Sequence, residues 1–179
     1  MDHVALLRGI NVGGNHPLPM ASLRATLEAA GCAEVRTYIQ SGNAVFRHDE
    51  ADEASLRELL EAAIAETAGF AVPVVLRTAA EWEATVAANP YSAGGTDPKA
   101  LHVVFLLEPP ASGALDALDL DRFAPEELTV VGREVHLLLP DGIGRSKLAA
   151  ALTDRKLGAV ATVRNWNTVV KLQAMLADR

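Results

Sequence analysis

Apolar and polar positions follow two different periods along the chain, and each change of period marks the border of a predicted element. The short apolar stretches "HVALLRG", "EVRTYIQ", "NAVFR" and "AVPVVLR" predict strands. The segments "MASLRATLEAAG" and "DEASLRELLEAAIAETAG" place apolar residues at helical spacing and end at glycine, which predicts two helices. The dipeptide "SG" between the second and third strands indicates a hairpin. This βαββαβ order predicts a split βαβ unit with an antiparallel sheet.

The same order of elements is predicted again in the second half of the chain. A helix over about residues 79–88 and the breaker "NPYSAGGTDPK" precede the strand "LHVVFLL", a short helix "SGALDALD", and the strands "ELTVV" and "EVHLLLP". A helix "SKLAAALTDRKLG", a short strand "AVATVR" and a last helix "TVVKLQAML" follow. The pattern therefore predicts two tandem copies of one topology. A doubly wound α/β sheet is the rival fold, and the consecutive hairpins disfavour it because parallel strands need crossovers.

Composition narrows the class of protein. Half of the 179 residues are hydrophobic, so the chain can bury a sizeable core. The single cysteine, Cys32, has no partner for an internal disulfide, which suits a reduced cytoplasmic interior. No apolar run approaches the roughly 18 residues that a membrane span needs. We therefore expect a cytoplasmic protein with no membrane partner.

Charge is distributed unevenly along the chain. The net charge of −7 disfavours nucleic acid as a partner, because lysine and arginine supply most of the affinity for phosphate backbones. Residues 1–48 carry a net charge of +1, residues 49–144 carry −13, and residues 145–179 carry +5. If the two ends of the chain meet, they form a locally positive site that attracts a small anionic ligand.

Four polar stretches stand out at predicted strand ends and turns: Arg8 to Asn15, Tyr38 to Asn43, Gly142 to Lys147, and Thr162 to Thr168. The glycines of the first stretch fit neither a dinucleotide-binding fingerprint nor a P-loop. That stretch is either a long turn that needs glycine, or a loop in which Gly13 and Gly14 let the backbone approach a ligand beside Arg8 and Asn11.

The hairpin stretch also has two interpretations. Ser41, Gly42 and Asn43 are turn formers, and Tyr38 can pack its ring while its hydroxyl meets water. Gln40 is the exception, because a hairpin turn has no need of an amide side chain.

The stretch "GIGRSKL" comes immediately before a predicted helix. Ser146 can cap that helix, and Arg145 and Lys147 lie beside the free N–H groups of its first turn. The stretch is therefore either a helix cap alone or an anion site.

The last stretch, "TVRNWNTVVKL", repeats this arrangement. Asn165 or Asn167 can cap the terminal helix, and Trp166 is either a core anchor or a stacking surface. The guanidinium of Arg164 suits a carboxylate or phosphate ligand, and a structural partner such as Asp154 explains it equally well.

The four stretches contain no His, Asp, Glu or Cys, so the usual acids, bases and metal ligands are missing from them. The histidines show no metal-ligand spacing, and His102 and His136 are expected to be ordinary strand residues. The only nucleophile candidate is Ser146 with Lys147 or Tyr38, without an evident base. We predict no metal and no cofactor, assign no catalytic residue, and leave enzyme activity open.

Taken together, "ALLRGINVGGN", "TYIQSGNAVF", "NPY", "GIGRSKL" and "ATVRNWNTVVKL" resemble the bacterial domain-of-unknown-function family 1697. The resemblance implies an α+β fold of two tandem ferredoxin-like subdomains and no established activity. We place these subdomains at residues 1–78 and 100–179, with a helix and linker over 79–99. His16 and Leu18 depart from the family, in which lysine or another polar residue is more usual. The family's motif residues fall on Arg8, Gly9, Asn11, Gly13, Gly14, Tyr38, Gln40, Ser41, Gly42, Asn43, Ser146, Arg164, Asn165, Trp166, Asn167 and Thr168.

The leading hypothesis is one cleft between the subdomains that binds a small anionic ligand. Its predicted ligand-binding residues are Arg8, Asn11, Gly13, Gly14, Tyr38, Gln40, Ser41, Asn43, Arg145, Ser146, Lys147, Arg164, Asn165, Trp166, Asn167 and Thr168. A second hypothesis is an interaction module whose polar motifs join the subdomains. A third is single-stranded nucleic acid binding on an open sheet, for which Tyr38 and Phe46 are the candidate aromatics.

Overall fold

The computed structural model describes residues 1–116 and 118–178, which form eight strands and six α-helices. The strands are β1 (Asp2–Leu7), β2 (Ala33–Tyr38), β3 (Asn43–Arg47), β4 (Val74–Thr78), β5 (Leu101–Leu106), β6 (Glu127–Val131), β7 (Glu134–Leu138) and β8 (Ala161–Asn165). The helices are α1 (Met20–Ala29), α2 (Glu53–Ala68), α3 (Ala79–Ala87), α4 (Lys147–Ala151), α5 (Asp154–Leu157) and α6 (Trp166–Ala177).

The strands form two four-stranded sheets with the orders β2-β3-β1-β4 and β6-β7-β5-β8. Every pairing between them is antiparallel, and each sheet places the first strand of its unit between the third and the fourth. This order confirms the predicted α+β fold of tandem ferredoxin-like subdomains and rules out a doubly wound parallel sheet. The chain divides into two compact units, residues 1–83 with 172–179, and residues 84–171.

Helices α1 and α2 cover one face of the first sheet. Their buried leucines, Leu23, Leu27, Leu56 and Leu60, pack on apolar residues of β1, β3 and β4. The carboxylate of Asp52 accepts the N–H of Ser55 and caps the start of α2. Arg36 of β2 donates to the main-chain oxygen of Met175, which fastens the end of α6 to this unit.

The second unit departs from two predictions. The expected short helix "SGALDALD" is not α-helical: residues 112–116 form turns, Ala117 lies outside the described residues, and a 3₁₀ turn at Leu120–Phe123 follows. The expected single helix "SKLAAALTDRKLG" is two short helices, α4 and α5. The hydroxyl of Thr153 accepts the N–H of Lys156 and caps α5, so it starts a new helix rather than continuing the first.

A buried arginine occupies the same place in both sheets. Arg77 of β4 pairs with Val4 of β1, and Arg164 of β8 pairs with Val103 of β5. Each arginine donates from Nη1 to the carbonyl oxygen of the residue before it, at 2.6 Å and 2.9 Å respectively. Val4 and Val103 both follow a histidine in the similar openings "HVALL" and "HVVFL". The shared position supports an internal duplication.

Candidate functional site

The loop that follows β1 is a miniature hairpin. The N–H of Asn11 donates to the main-chain oxygen of His16 at 2.9 Å, and Val12 and Asn15 form an isolated bridge. Gly13 and Gly14, its two central residues, both have positive φ, as a type I′ turn requires. The glycines are therefore needed for a tight turn, and this turn also brings the loop to the surface.

The Asn11 side chain joins this loop to the β2–β3 turn. Its Oδ1 accepts the N–H of Leu18 at 2.8 Å, and its Nδ2 donates to the main-chain oxygens of Leu18 and Gln40 at 2.9 Å and 2.8 Å. We call residues 8–16 and 39–42 the paired tips. One side chain thus holds the paired tips in a fixed relation.

Backbone strain is concentrated in the paired tips. Asn11, His16 and Ile39 have φ values of 54°, 51° and 48°, in the left-handed region that L side chains rarely adopt. Ile39 is β-branched, which makes its conformation costly unless surrounding contacts enforce it. The tips nevertheless expose apolar side chains, since Val12 is 64% and Ile39 is 47% exposed. Strained, exposed loops of this kind are typical of binding sites.

The turn of the miniature hairpin presents two backbone donors. The N–H groups of Gly13 and Gly14 have no hydrogen-bond partner among residues 1–116 and 118–178, and both residues are exposed. A Cβ at either position would have no heavy atom within 4 Å apart from its chain neighbours, so the space around them is open. Arg8, at the start of the loop, is half-buried. The loop therefore presents two exposed N–H donors, and the cationic side chain of Arg8 precedes them in the sequence.

The β2–β3 turn is shaped from the inside by Asn43. This residue is fully buried, and its Nδ2 donates to the main-chain oxygen of Tyr38 at 2.9 Å and to Oγ of Ser41 at 3.0 Å. Gln40 and Ser41 are exposed on the turn, and Tyr38 is half-buried. Asn43 therefore supports the turn, while Gln40 and Ser41 present polar groups to solvent.

The stretch "GIGRSKL" in the second unit contains a helix cap. Oγ of the buried Ser146 accepts the N–H of Ala149 at 2.8 Å, which confirms the predicted cap of α4. The N–H of Leu148 donates to the carboxylate of Glu126 at 3.0 Å. The protein's own oxygens therefore satisfy these helix-start donors. Arg145 and Lys147 are exposed. Nothing in the sequence pattern indicated the part that Glu126 takes.

The stretch around Arg164 is mostly buried. Burial lowers the pKa of Arg164 to about 10, and its Nη1 donates to Oγ1 of Thr162 at 2.7 Å.

Oδ1 of Asn165 accepts the N–H of Asn167 at 2.9 Å, so Asn165 rather than Asn167 caps α6. Trp166 is buried and Asn167 is exposed. The buried Thr168 follows in the first turn of α6. The indole is therefore placed as an anchor and not as an open stacking surface.

The structure joins some of the predicted site residues and leaves others apart. Asn11 bonds to Gln40, and Asn43 bonds to Tyr38 and Ser41. A single cleft lined by all of the predicted residues stays a prediction. Sequence reasoning missed Arg77, which is as buried as Arg164; the similarity of "VVLRT" to "ATVRN" was the available signal.

A cavity of about 320 Å³ lies elsewhere in the second unit. It is lined by Leu120, Asp121, Ala124, Pro125, Glu126, Glu127 and Leu128, none of which is a predicted ligand-binding residue. Its acidic lining does not suit an anion.

Histidine side chains are buried in the strands. His102 in β5 and His136 in β7 lie in strands, as predicted. Neither ring nitrogen of the fully buried His136 has a hydrogen-bond partner in the described part of the chain, and burial lowers its pKa to about 4. Among the described residues, no three His, Cys, Asp or Glu side chains are grouped to hold a metal ion.

No helix in the described ranges combines the length and the apolar character that crossing a bilayer demands.

Comparison with known proteins gives a family and a fold. The profile of a family described as "Protein of unknown function (DUF1697)" matches residues 1–136. No curated protein matches the chain. Among solved structures, the conserved bacterial protein SP0830 from Streptococcus pneumoniae is similar, with 25% sequence identity and a TM-score of 0.74. The match covers 98% of this chain and 98% of that protein.

The family match includes the first two motif stretches and "NPY". The stretches at 142–148 and 161–172 lie beyond it, and the structural match extends over them. The resemblance read from the motifs is confirmed: the chain belongs to the DUF1697 family of proteins of unknown function.

Proposed function

We propose that the protein binds a small anionic ligand, bearing a phosphate or a carboxylate, at the paired tips. The observation that carries the proposal is a pair of exposed N–H groups, those of Gly13 and Gly14, which have no partner in the described part of the chain. They lie on a loop that Asn11 fixes by three side-chain hydrogen bonds. Successive backbone donors in left-handed turns are common elements of anion sites.

Charge and geometry support an anion rather than a cation. Arg8 starts the loop, and the paired tips contain no acidic residue. Gln40 and Ser41, exposed on the second tip, add groups that can orient an oxyanion by hydrogen bonds. Because the tips are pre-positioned by Asn11, ligand binding does not have to pay for ordering the loop.

Residues of the second unit contribute less directly to the proposal. Ser146 and Arg164 are buried, and both have hydrogen bonds within their own unit. Substituting either would disturb the fold as well as any ligand contact. Arg8 is therefore the better position for a test.

The test is a thermal-shift titration with inorganic phosphate, acetate and a set of nucleoside and sugar phosphates. We expect at least one anion to raise the Tm of the wild type in a saturable manner, because a ligand that binds only the native state stabilises it. Arg8→Gln should lose that shift. Gly13→Val, which places a side chain beside the proposed backbone donors, should lose it too.

Arg24→Gln is the matched control. Arg24 is an exposed arginine of α1 in the same unit, so its substitution removes one positive charge outside the paired tips. It should keep the wild-type shift. The proposal fails if no anion stabilises the wild type, or if Arg8→Gln responds as strongly as Arg24→Gln.

A structural role is the second candidate function of the polar motifs. Asn11, Asn43 and Ser146 all bond to main-chain atoms of their own unit. If every motif acts in this way, the paired tips serve as a scaffold for an interaction module and have no small ligand. The titration above separates the two, because a scaffold predicts no saturable shift with any anion.

Single-stranded nucleic acid binding has less support. Phe46 is fully buried in the core of the first unit, stacked on His3 at a ring-centroid distance of 5.6 Å, so it is unavailable to a base. Of the two aromatic residues that the hypothesis named, Tyr38 remains. Proteins that stack bases on a sheet use several aromatic side chains.

A further inference from the structure

We propose that the outer edge of β6 binds an extended, basic segment of another protein. The segment adds a strand to the second sheet and places a lysine or arginine at the acidic cavity beside β6. The proposal rests on the outward backbone groups of β6, on the way the other sheet edges are closed, and on the charge of the cavity. It does not depend on the anion site at the paired tips.

The outward groups on β6 follow from the register. In β7, the even-numbered residues bond towards β6, because Leu106 donates its N–H to the oxygen of the odd-numbered Arg133 on the β5 side. Their partners on β6 are the odd-numbered residues, such as Thr129. The N–H and C=O groups of Leu128 and Val130 therefore face away from the sheet. They have no hydrogen-bond partner among the described residues.

Edge strand β4 of the first sheet is closed by side chains. The N–H groups of Val74 and Thr78 each donate to a glutamate carboxylate at 2.8 Å. The oxygen of Leu76 accepts a hydrogen bond from Nη1 of the buried Arg77 at 2.6 Å. Side chains of the protein itself thus occupy both donors and an acceptor of this edge.

Edge strand β8 of the second sheet is closed in the same way. The N–H of Ala161 donates to a carboxylate oxygen of Asp154 at 3.3 Å, and the oxygen of Val163 accepts from Nη1 of Arg164 at 2.9 Å. The remaining edge, β2, is interrupted by a register shift. Devices of this kind prevent strand addition in natural sheets. In the described part of the chain, β6 has none of them, so it is the edge that can accept a strand.

The acidic cavity lies at the start of this edge. Leu128, whose backbone groups face outward, lines the cavity and also packs against the apolar core of the second unit. Successive side chains of a strand point to opposite faces, so every second residue of an added strand lies on the face of the sheet that Leu128 occupies. The cavity of about 320 Å³ is at the lower end of the range for ligand pockets, roughly 300–1,000 Å³. It is therefore large enough for one long side chain.

Charge selects a basic side chain for the cavity. Asp121, Glu126 and Glu127 line it, and none of them forms a salt bridge with a basic side chain of the described residues. Residues 119–128 contain four acidic residues and one basic residue. Glu126 also accepts the N–H of Leu148, which offsets part of its charge. Among the described residues, these carboxylates are not grouped to hold a metal ion, so an ammonium or guanidinium group is the complementary ligand.

Val130 adds an apolar requirement. It is 39% exposed and follows Leu128 by two positions, so both side chains lie on one face of β6. A bound strand therefore places a basic residue beside Leu128 and an apolar residue, two positions away, beside Val130. Main-chain hydrogen bonds then supply affinity, and the two side chains supply specificity.

The probe is the fluorescein-labelled peptide Ser-Val-Thr-Lys-Thr-Val-Ser, titrated with the full chain and followed by fluorescence anisotropy. A valine stands two positions from the lysine on both sides, so the peptide offers the same spacing in either strand direction. We expect saturable binding with a Kd on the order of 100 μM, because an interface of one short strand is small. The same peptide with glutamate in place of lysine should not bind measurably.

Two charge variants test the cavity. Asp121→Asn combined with Glu126→Gln should weaken binding of the lysine peptide about tenfold, because it removes two charges and keeps an acceptor oxygen for Leu148. Glu58→Gln combined with Glu61→Gln is the matched control. Glu58 is exposed, and Glu61 accepts a main-chain N–H as Glu126 does. This control should bind the peptide as the wild type does.

Two proline variants test the edge. Val130→Pro removes an outward N–H and leaves the bonds to β7 in place, so it should weaken binding at least about tenfold. Val163→Pro is the matched control on edge strand β8, where Val163 is 37% exposed, and it should bind as the wild type does. Circular dichroism and Tm establish that each variant folds. If Val130→Pro does not fold, the peptide N-methylated on its lysine and valines replaces it, since that probe keeps the charge and loses backbone donors; it should not bind.

Three results would overturn the proposal. The first is a wild type that does not bind the lysine peptide. The second is binding that lysine amide displaces as effectively as the unlabelled peptide and that Val130→Pro leaves unchanged, which assigns the cavity to a small cation. The third is a wild type that sediments as a dimer, becomes monomeric with Val130→Pro and does not bind the peptide, which assigns the edge to a second copy of the chain.

Discussion

Asn11 and Gln40 are 29 positions apart in the sequence, and a hydrogen bond of 2.8 Å joins the side-chain amide of the first to the main-chain oxygen of the second. The same amide group also bonds to both main-chain polar atoms of Leu18. Asn11 therefore joins the loop after β1 to the turn between β2 and β3 through one short side chain. Its left-handed φ of 54° is one that asparagine tolerates better than most residues.

We predict that Asn11→Ala lowers the free energy of unfolding by about 2–3 kcal/mol. The change removes three hydrogen bonds, two of which serve main-chain groups of Leu18, and each is worth about 1 kcal/mol. Urea denaturation followed by circular dichroism measures the loss. Asn15→Ala is the control, because Asn15 is exposed in the same loop and should change stability by about 0.5 kcal/mol at most. Equal losses in the two variants would contradict the role given to Asn11.

Gly42 and Gly13 should differ sharply in their tolerance of a methyl group. Both have positive φ, which costs alanine about 1–2 kcal/mol. A Cβ on Gly42 would also lie 2.6 Å from Cδ1 of Ile10 and 2.8 Å from Cβ of Leu7, whereas a Cβ on Gly13 meets nothing within 4 Å. Gly42→Ala should therefore lower Tm by several degrees more than Gly13→Ala. Thermal unfolding of the two purified variants measures the difference, and similar Tm values would show that the core under Gly42 yields readily.

The first unit could be predicted almost completely from the sequence, because its elements have strong periodicity and clear ends. Gly69 ends α2 in the left-handed conformation, and Asp52 begins it. The second unit could not be predicted to the same degree. The segment 112–116 forms turns, and Gly113 has a left-handed φ of 70° there, which is incompatible with an α-helix and which the apolar spacing did not indicate.

The polar residues of the candidate site could be identified from the sequence, but the contacts that each of them makes could not be predicted. Asn11 and Gln40 are both amides in polar turns, yet the side chain of one is bonded inward and the other is exposed. Likewise, Glu126 takes the N–H of Leu148 across 22 positions, a contact that no local pattern indicates. Such contacts depend on which segments become neighbours in the folded chain. The local pattern of one sequence does not predict which atoms then meet.

Cys32 should be unreactive in the native protein. The thiol is buried, and burial raises its pKa to about 12, so almost no thiolate forms near neutral pH. A disulfide reagent such as DTNB should therefore label the folded protein far more slowly than the protein in guanidinium chloride. Rapid labelling under native conditions would show that the segment around Cys32, just after α1, opens frequently.

His136 should make the protein less stable as the pH falls below neutrality. The pKa of its buried imidazole is lowered to about 4, whereas in the unfolded chain it returns to about 6.5. Between these values the unfolded state binds the proton and the folded state does not, so stability rises with pH across this window. Its contribution is complete above about pH 6.5 and declines by about 3 kcal/mol towards pH 4.

His136→Leu removes the group while keeping an apolar side chain of similar size. The measurement is the free energy of unfolding in urea at several pH values from 4 to 7. His3 and His102 also have pKa values lowered by burial, so both proteins should retain some dependence on pH. The wild type should lose more stability than His136→Leu over the window, and parallel curves would show that His136 is accessible to protons in the native state.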